Sequence, residues 1–288
     1  MKEKWMEIIF EKAPAKVNLA LDVVGILPNG YHEMAMINHS TELWDELSFQ
    51  PYDTIRLTCD HGMTPQGESN VIVQVAKKIQ EEKGVSMGVH IHLKKKIPME
   101  AGLGGGSADA AATIRGLNRL WKLGMTVEEM IAFGVKIGAD VPYCINNGTA
   151  LVKGIGEKIT LVKPLPTWNI LIVKPEISIK TPWAFQQVDR EANVFHPSIT
   201  QLLKIVDNNR WEELAQHVGN SFEKPIFAIY PEIKKLKQRM EKELNADFSI
   251  MSGSGSTIIG YYFKEAEAIK ALSILKSEKY NVFLSHIK

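Results

Sequence analysis

Two α+β domains are what this chain predicts, and three observations carry the prediction. β-like runs crowd the first 60 residues before helical patterns take over. Prolines bracket a change of character at Lys163-Pro164-Leu165-Pro166. Beyond that point the order strand, helices, two strands, helix, strand matches a split βαβ layer of ferredoxin-like type. A length of 288 residues suits two medium domains, expected at 1–163 and 164–288.

Composition narrows the class. With 45% hydrophobic and 23% charged residues, a well-mixed net charge of +1 lends no support to a nucleic-acid or membrane-surface role. Cys59 and Cys144 have no metal-ligand spacing and read as small buried or half-buried residues of a reducing compartment. The start Met1-Lys2-Glu3-Lys4-Trp5 carries charges where a signal peptide needs an apolar core, and no run approaches the ~18 apolar residues of a membrane span. A cytoplasmic protein with neither membrane nor nucleic-acid partner is expected.

Taken in order, residues 5–11 and 16–26 predict strands, the second alternating Val17, Leu19, Leu21 and Val23 against Asn18, Ala20 and Asp22. Pro28-Asn29-Gly30 signals a hairpin bend that leads into Tyr31 and His32. Strands at 42–49 and 53–58, a polar loop at 60–68 and a helix over 71–82 with Gly84 at its C′ position follow. Residues 89–93 alternate as a strand, placing His90 and His92 on a solvated polar face. Helices are predicted from Ser107 to about Lys122 and, behind a Thr126/Glu129 capping box, as far as Gly138. Residues 148–157 read as a strand and tight turn, 168–174 as a strand, and 199–206, 211–218, 231–244 and 264–276 as helices. The basic cluster at 234–242 is the wet face of one of these helices. Residues 248–263 give two strands around a glycine-serine loop, and 281–285 a last strand.

The chain is organised around Ile97-Pro98-Met99-Glu100-Ala101-Gly102-Leu103-Gly104-Gly105-Gly106-Ser107-Ala108-Asp109. Glycines let the backbone adopt φ > 0 and approach a ligand closely, and Ser107 reads as an N-cap. Amide groups converging on a helix N-terminus favour phosphate, although tight helix-on-sheet packing selects the same residue types. A Walker A loop needs a lysine before its hydroxyl residue, and Gly106 is followed directly by Ser107. A dinucleotide fingerprint needs a second strand ending in an acid about 20 residues on, where Thr126 instead starts a helix. A phosphate loop of a third kind remains. Gly138-Ala139-Asp140-Val141-Pro142 places an acid at an expected helix C-terminus, where the dipole disfavours it. Asp140 reads equally as a turn former and as a residue with a catalytic role.

Three stretches together carry a resemblance. Pro14-Ala15-Lys16-Val17-Asn18-Leu19, residues 98–108 and residues 251–257 resemble the three motifs of the galactokinase, homoserine kinase, mevalonate kinase and phosphomevalonate kinase superfamily. Asn29-Gly30-Tyr31-His32, residues 101–111 and Ile137-Gly138-Ala139-Asp140-Val141-Pro142-Tyr143 are similar to the branch that acts on a cytidine diphosphate-linked methylerythritol. The matches keep their order and span nearly the whole chain.

The resemblance implies a ribosomal-protein-S5-like N-terminal domain, a ferredoxin-like C-terminal domain, and transfer of the γ-phosphoryl group of ATP, with Mg²⁺, to the 2-hydroxyl of that small-molecule substrate. It puts catalysis on Lys16 and Asp140, the aspartate accepting the hydroxyl proton and the lysine offsetting charge on the transferring group. ATP would meet Pro98, Met99, Glu100, Ala101, Gly102, Leu103, Gly104, Gly105, Gly106, Ser107 and Ala108, with Asn70, Lys94 and Lys96 towards the adenosine. The ligands of the metal stay open, with Ser107 one candidate among them. Tyr31 and Phe185 would stack on the cytosine, His32 would read its edge, and Asn18 would contact the erythritol or phosphate part. Lys16 and Asn18 would alternate on a polar face lining the cleft.

The chain departs from the commoner pattern at Ala108, where a second hydroxyl residue is usual, and at Asn146-Asn147, which replaces Gly-Gly. Two rivals remain at this point: another kinase of the superfamily, and a catalytically silent nucleotide-binding protein on the same fold.

Overall fold

The computed structural model describes residues 8–60 and 67–287. In chain order the first part holds β1 (Ile9–Ile26), β2 (His32–Tyr52), β3 (Ile55–Cys59), α1 (Val71–Lys83), β4 (Gly88–Lys94), α2 (Gly105–Leu120), α3 (Val127–Val135), α4 (Val141–Asn146), β5 (Ala150–Gly154) and β6 (Lys158–Leu161). The second holds β7 (Asn169–Lys174), α5 (Thr181–Arg190), α6 (Ile199–Asp207), β8 (Gly219–Asn220), α7 (Glu223–Ile229), α8 (Pro231–Lys242), β9 (Phe248–Met251), β10 (Ile258–Tyr262), α9 (Glu265–Ser277) and β11 (Asn281–His286). Two compact units interleave along the chain. One takes Trp44–Ile97 and Gly105–Asn146 with the first residues, and the other Lys16–Leu43, Pro98–Gly104 and Asn147–Lys288. The long strands β1 and β2 each contribute one end to each unit.

In the first unit β3 runs parallel to β4, and β4 pairs antiparallel with the far end of β2, from Glu46↔Lys94 to Tyr52↔Gly88. Helix α2 packs closely because its inner face is small: Ala108, Ala110, Ala111 and Ala112 are fully buried, and a Cβ at Gly116 would lie 2.6 Å from Phe49 Cζ. Asn70 caps α1, accepting the Ile72 amide, and Gly84 ends it at φ 64, as the local chemistry predicts. The Thr126/Glu129 capping box of α3 is formed. His90 bonds Gln50 and Thr58, and His92 bonds Thr58 and Asp60, so the pair is tied across neighbouring strands.

In the second unit β5 pairs with the near end of β2, β6 with β5, and β8 with β1 through Ala20↔Gly219. A separate four-stranded sheet runs β11-β7-β10-β9, all neighbours antiparallel. Its central strand β7 is buried at every residue. Buried Ile233, Leu236 and Met240 of α8 and Ala268, Ala271 and Leu275 of α9 supply apolar faces for the unit's core, leaving Lys234 and Lys235 exposed.

Several expectations need correction. β1 is continuous over Ile9–Ile26, carrying Pro14 within it, where two strands were expected; residues 5–7 of the first lie outside the described residues. β2 begins at His32 rather than at 42, because residues 34–41 are buried on both faces and so show no alternation. Residues 61–66 of the expected polar loop likewise lie outside the described residues. Helix α2 starts at Gly105, so Ser107 sits inside its first turn and does not cap it. The helix expected over 211–218 is a 3₁₀ segment, Trp211–Gln216, and α3 stops at Val135. Short elements α4, α5, α7, β6 and β8 were not anticipated.

Candidate active site

The second unit gathers two glycine loops. In the first, Gly102 and Gly104 take φ of 71° and 66°, and Glu100 takes 50°. The Lys16 amide donates to Leu103 O at 2.9 Å, and a Cβ at Gly104 would lie 2.8 Å from Lys16 Cγ, so glycine leaves the space that the lysine stem occupies. The second loop, residues 252–255, rests on the first. Ser252 Oγ donates to Gly102 O at 2.8 Å, and a Cβ at Gly253 would lie 3.1 Å from that same oxygen.

Three side chains distant in sequence hold this second loop. Asn18 Oδ1 accepts the Gly253 amide at 2.9 Å. Asn220 Nδ2 donates to Met251 O at 2.7 Å and Gly253 O at 2.8 Å. Glu223 Oε1 accepts the Met251 amide at 2.8 Å, and burial pushes the Glu223 carboxyl up to about 7. Behind Asn18, Tyr261 donates its hydroxyl hydrogen to Asn18 O at 3.2 Å and meets His39 Nε2 at 2.6 Å, where burial lowers the imidazole to about 3 and keeps it neutral. Ser254 Oγ and Thr181 Oγ1, 3.0 Å apart, tie the loop to α5. Sequence reasoning passed over Glu223, Asn220, Tyr261 and His39, since no local pattern marks a partner so remote.

The polar face of β1 is therefore buried rather than open: Lys16 is 4% exposed and Asn18 0%. Both Asn18 amide atoms are engaged, Nδ2 donating to Asn38 Oδ1 at 2.6 Å. On the substrate side expected from sequence, His32 lies flat against Phe185 of α5, with ring centroids 4.2 Å apart and planes at 19°. Asp189 fixes the imidazole through Nε2 at 2.8 Å, and Phe222 meets Phe185 edge-on at 5.0 Å. Tyr31 is exposed beside the hairpin bend.

The first unit holds the remaining candidates. Asn70 is buried as the α1 cap. Lys96 Nζ pairs with Glu46 at 2.6 Å and Lys94 Nζ with the same carboxylate at 3.7 Å. Gly105, Gly106 and Ser107 form the opening turn of α2, and Ala108 is buried. Asp140, half-buried, stands immediately before α4 and offers its carbonyl to the Cys144 amide at 3.1 Å. It is thus at a helix N-terminus, where the peptide dipoles favour an anion, and not at the C-terminal end expected from sequence. Close packing sets its place: a Cβ at Gly134 would lie 3.0 Å from Val141 Cγ1, and Arg115 holds the α4 carbonyl of Cys144 at 2.8 Å. Asn147, the first residue beyond this unit, takes φ 57°, so the Asn-Asn substitution preserves the left-handed turn.

Lys95 of this unit is held between two buried acids. Its Nζ lies 2.6 Å from both Asp45 Oδ2 and Asp109 Oδ2. Burial pushes the Asp109 carboxyl up; the two acids outweigh burial at Lys95 and hold its ammonium above the usual lysine range. Among the described residues no group of three or more His, Cys, Asp and Glu side chains is placed to hold a metal ion, and no helix is long and apolar enough to cross a membrane.

Comparison with known proteins places these features in a family. Residues 70–148 match the family model described as GHMP kinases N terminal domain, and residues 198–282 match GHMP kinases C terminal. The chain is 40% identical to 4-diphosphocytidyl-2-C-methyl-D-erythritol kinase of Bacillus pumilus, over 88% of this chain and 87% of that protein. It is 39% identical to the protein of that name from Enterococcus faecalis, over 97% and 98%. The crystal structure of a 4-(cytidine 5'-diphospho)-2C-methyl-D-erythritol kinase superposes with a TM-score of 0.82 at 29% identity, covering 97% of this chain and 99% of that one. A homoserine kinase from Cytophaga hutchinsonii shares the fold at a TM-score of 0.75 and 18% identity, covering 100% of this chain and 96% of that one.

Proposed function

The chain belongs to the 4-diphosphocytidyl-2-C-methyl-D-erythritol kinases, a branch of the GHMP kinases, and from that premise we propose a catalytic centre built on Lys16 and Asp140. The protein is an ATP-dependent small-molecule kinase that phosphorylates the 2-hydroxyl of 4-diphosphocytidyl-2-C-methyl-D-erythritol, in the non-mevalonate route to isoprenoid precursors. One observation supports the site above others: the Lys16 backbone is tied to Leu103 and its stem fills the space left by Gly104, so the lysine of β1 lies directly against the glycine loop.

In this reading residues 98–108 receive the phosphates on backbone amides at the start of α2. Asp140 accepts the proton of the attacking hydroxyl as its oxygen bonds the γ-phosphorus and the bond to the β-bridging oxygen breaks, releasing ADP. Lys16 offsets the charge of the moving group. Mg²⁺ favours hard oxygen donors and keeps several waters, and the half-buried Ser107 hydroxyl in the first turn of α2 fits that chemistry. When bound, the ion neutralises phosphate charge. Asn70, Lys94 and Lys96 lie towards the adenosine.

Tyr31, His32 and Phe185 take the cytosine, and a base clamped between Tyr31 and Phe185 requires the imidazole to turn off the phenyl face. Asn18, wholly buried, acts on the acceptor through the Gly253 loop that it holds. The strand order β11-β7-β10-β9 supports a ferredoxin-like label for the C-terminal domain. An S5-like N-terminal domain and a boundary at 163/164 belong to the same reading, with the two family matches falling on either side. A cytoplasmic location goes with this function, and the free thiols Cys59 and Cys144 suit one.

An ADP-release assay tests the assignment. Wild type is expected to turn over with the cytidyl substrate and not with mevalonate or homoserine, and Asp140→Asn to lose about a thousandfold in kcat while keeping its fold. Equal rates for wild type and Asp140→Asn would remove Asp140 from the mechanism.

A further inference from the structure

The glycine loop Pro98–Gly104 leaves the chain at Ile97 and returns at Gly105, and these two feet are fastened to each other. A Cβ at Gly105 would lie 3.0 Å from Ile97 Cγ2 and 3.2 Å from Lys95 Nζ, so the start of α2 sits directly on the end of the preceding segment. Asp45 Oδ1 accepts the amides of Lys96 at 2.5 Å and Ile97 at 2.8 Å, fixing the outgoing foot. Asp109, one turn into α2, fixes the returning foot. The Lys95 ammonium joins them, 2.6 Å from each carboxylate. The side chains of Asp45, Asp109 and Lys95 are 0%, 5% and 12% exposed.

Burying an ammonium with two carboxyl groups is costly, and well-packed apolar residues of similar volume commonly stabilise as well or better. What an apolar trio lacks is direction, because charge-assisted hydrogen bonds fix atoms at one separation and angle. We propose that Lys95, held between Asp45 and Asp109, is a positioning residue that clamps both feet of the glycine loop and thereby sets the affinity for ATP. This rests on the assignment of the ATP phosphates to residues 98–108. None of the three side chains touches the nucleotide; they act through the backbone geometry of the loop.

The test is a steady-state comparison of Asp109→Ala, Asp109→Asn and the double variant Lys95→Met with Asp109→Asn, each with its melting temperature. Asp109→Ala is expected to raise the KM for ATP about tenfold and leave that for the cytidyl substrate within about twofold. Asp109→Asn keeps an oxygen for Lys95 and should recover most of the loss. The double variant removes one charge of each sign at nearly constant volume, which favours folding if Asp109→Ala does not fold, and is expected to show the same ATP defect. A lower melting temperature with an unchanged KM for ATP would mean a merely structural cluster and overturn the proposal. Gly104→Ala separates the two levels. If it weakens ATP binding while the cluster variants do not, the clamp alone fails; if neither does, the phosphate-loop assignment fails with it.

Discussion

Asn18 Oδ1 accepts the Gly253 amide at 2.9 Å across 235 residues of sequence, and through it β1 carries the second glycine loop. Replacing Asn18 with leucine keeps the branching of the side chain but strands the Gly253 N–H and Asn38 Oδ1, both at a buried site. Each orphaned group costs ~1–3 kcal/mol, so Asn18→Leu is expected to lose roughly 3 kcal/mol in a urea titration. A loss within experimental error would mean that the loop is held by Asn220 and Glu223 without it.

Glycines of the first loop separate backbone strain from ligand approach. At Gly102, φ is 71° and an added Cβ would press on the Ser252 carbonyl, a backbone atom that cannot swing aside. Gly102→Ala should therefore destabilise by about 2 kcal/mol or more. At Gly106 an added Cβ meets nothing within 4 Å, and alanine is the better helix former by up to ~1 kcal/mol. Gly106→Ala is expected to melt higher and yet bind ATP more weakly, because the methyl occupies the approach of a phosphate. Unchanged ATP affinity would place the phosphates elsewhere.

Glu223 gives stability a pH dependence. Its carboxyl is held at about 7 by burial, against an ordinary value of 4.5, with Lys237 and Glu241 acting in opposite senses. Between those values the unfolded chain has released the proton and the folded chain retains it, so raising the pH favours unfolding. The stability is full below about 4.5 and lost as pH rises through about 7, roughly 3 kcal/mol in all. Glu223→Gln still accepts the Met251 amide and cannot ionise. Denaturation at pH 5 and pH 8 should show a smaller difference for the variant than for wild type; equal differences would exclude the carboxyl as the source.

How much of this was legible depended on the distance between partners. Asn70 with Ile72, and Thr126 with Glu129, are bonded within one turn, and the local pattern revealed the caps. Strand β2 was half hidden because Met34, Ile37 and their neighbours are buried on both faces, which erases the period of two. Ser107 was misplaced by one turn, since positive φ ends at Gly104 and the next glycines already lie in the helix. The resemblance points to Lys16, Asp140, Tyr31, His32 and Phe185 as site residues, but says nothing of the contacts around them, such as the stacking of His32 on Phe185. Lys95 with Asp45, Glu223 with Met251 and Asn18 with Gly253 are long-range meetings that no window of sequence contains.

The Phe185 face provides the sharpest test of substrate choice. His32 covers that face at 4.2 Å and is anchored by Asp189, so the proposed cytosine stacking on Phe185 requires the imidazole to be displaced first. Stacking on an aromatic platform is worth ~1–3 kcal/mol per base. Phe185→Leu keeps an apolar side chain against Phe222 but removes the platform, and kcat/KM for the cytidyl substrate should fall about 10- to 100-fold. The KM for ATP should stay within about twofold, since nothing in the reading joins Phe185 to the nucleotide donor. Asp189→Ala acts in the other direction on the same step: it releases the imidazole from its anchor, making the phenyl face easier to reach while leaving His32 less well aimed at the base. A KM for the cytidyl substrate that ignores Phe185→Leu would place the cytosine away from this pair.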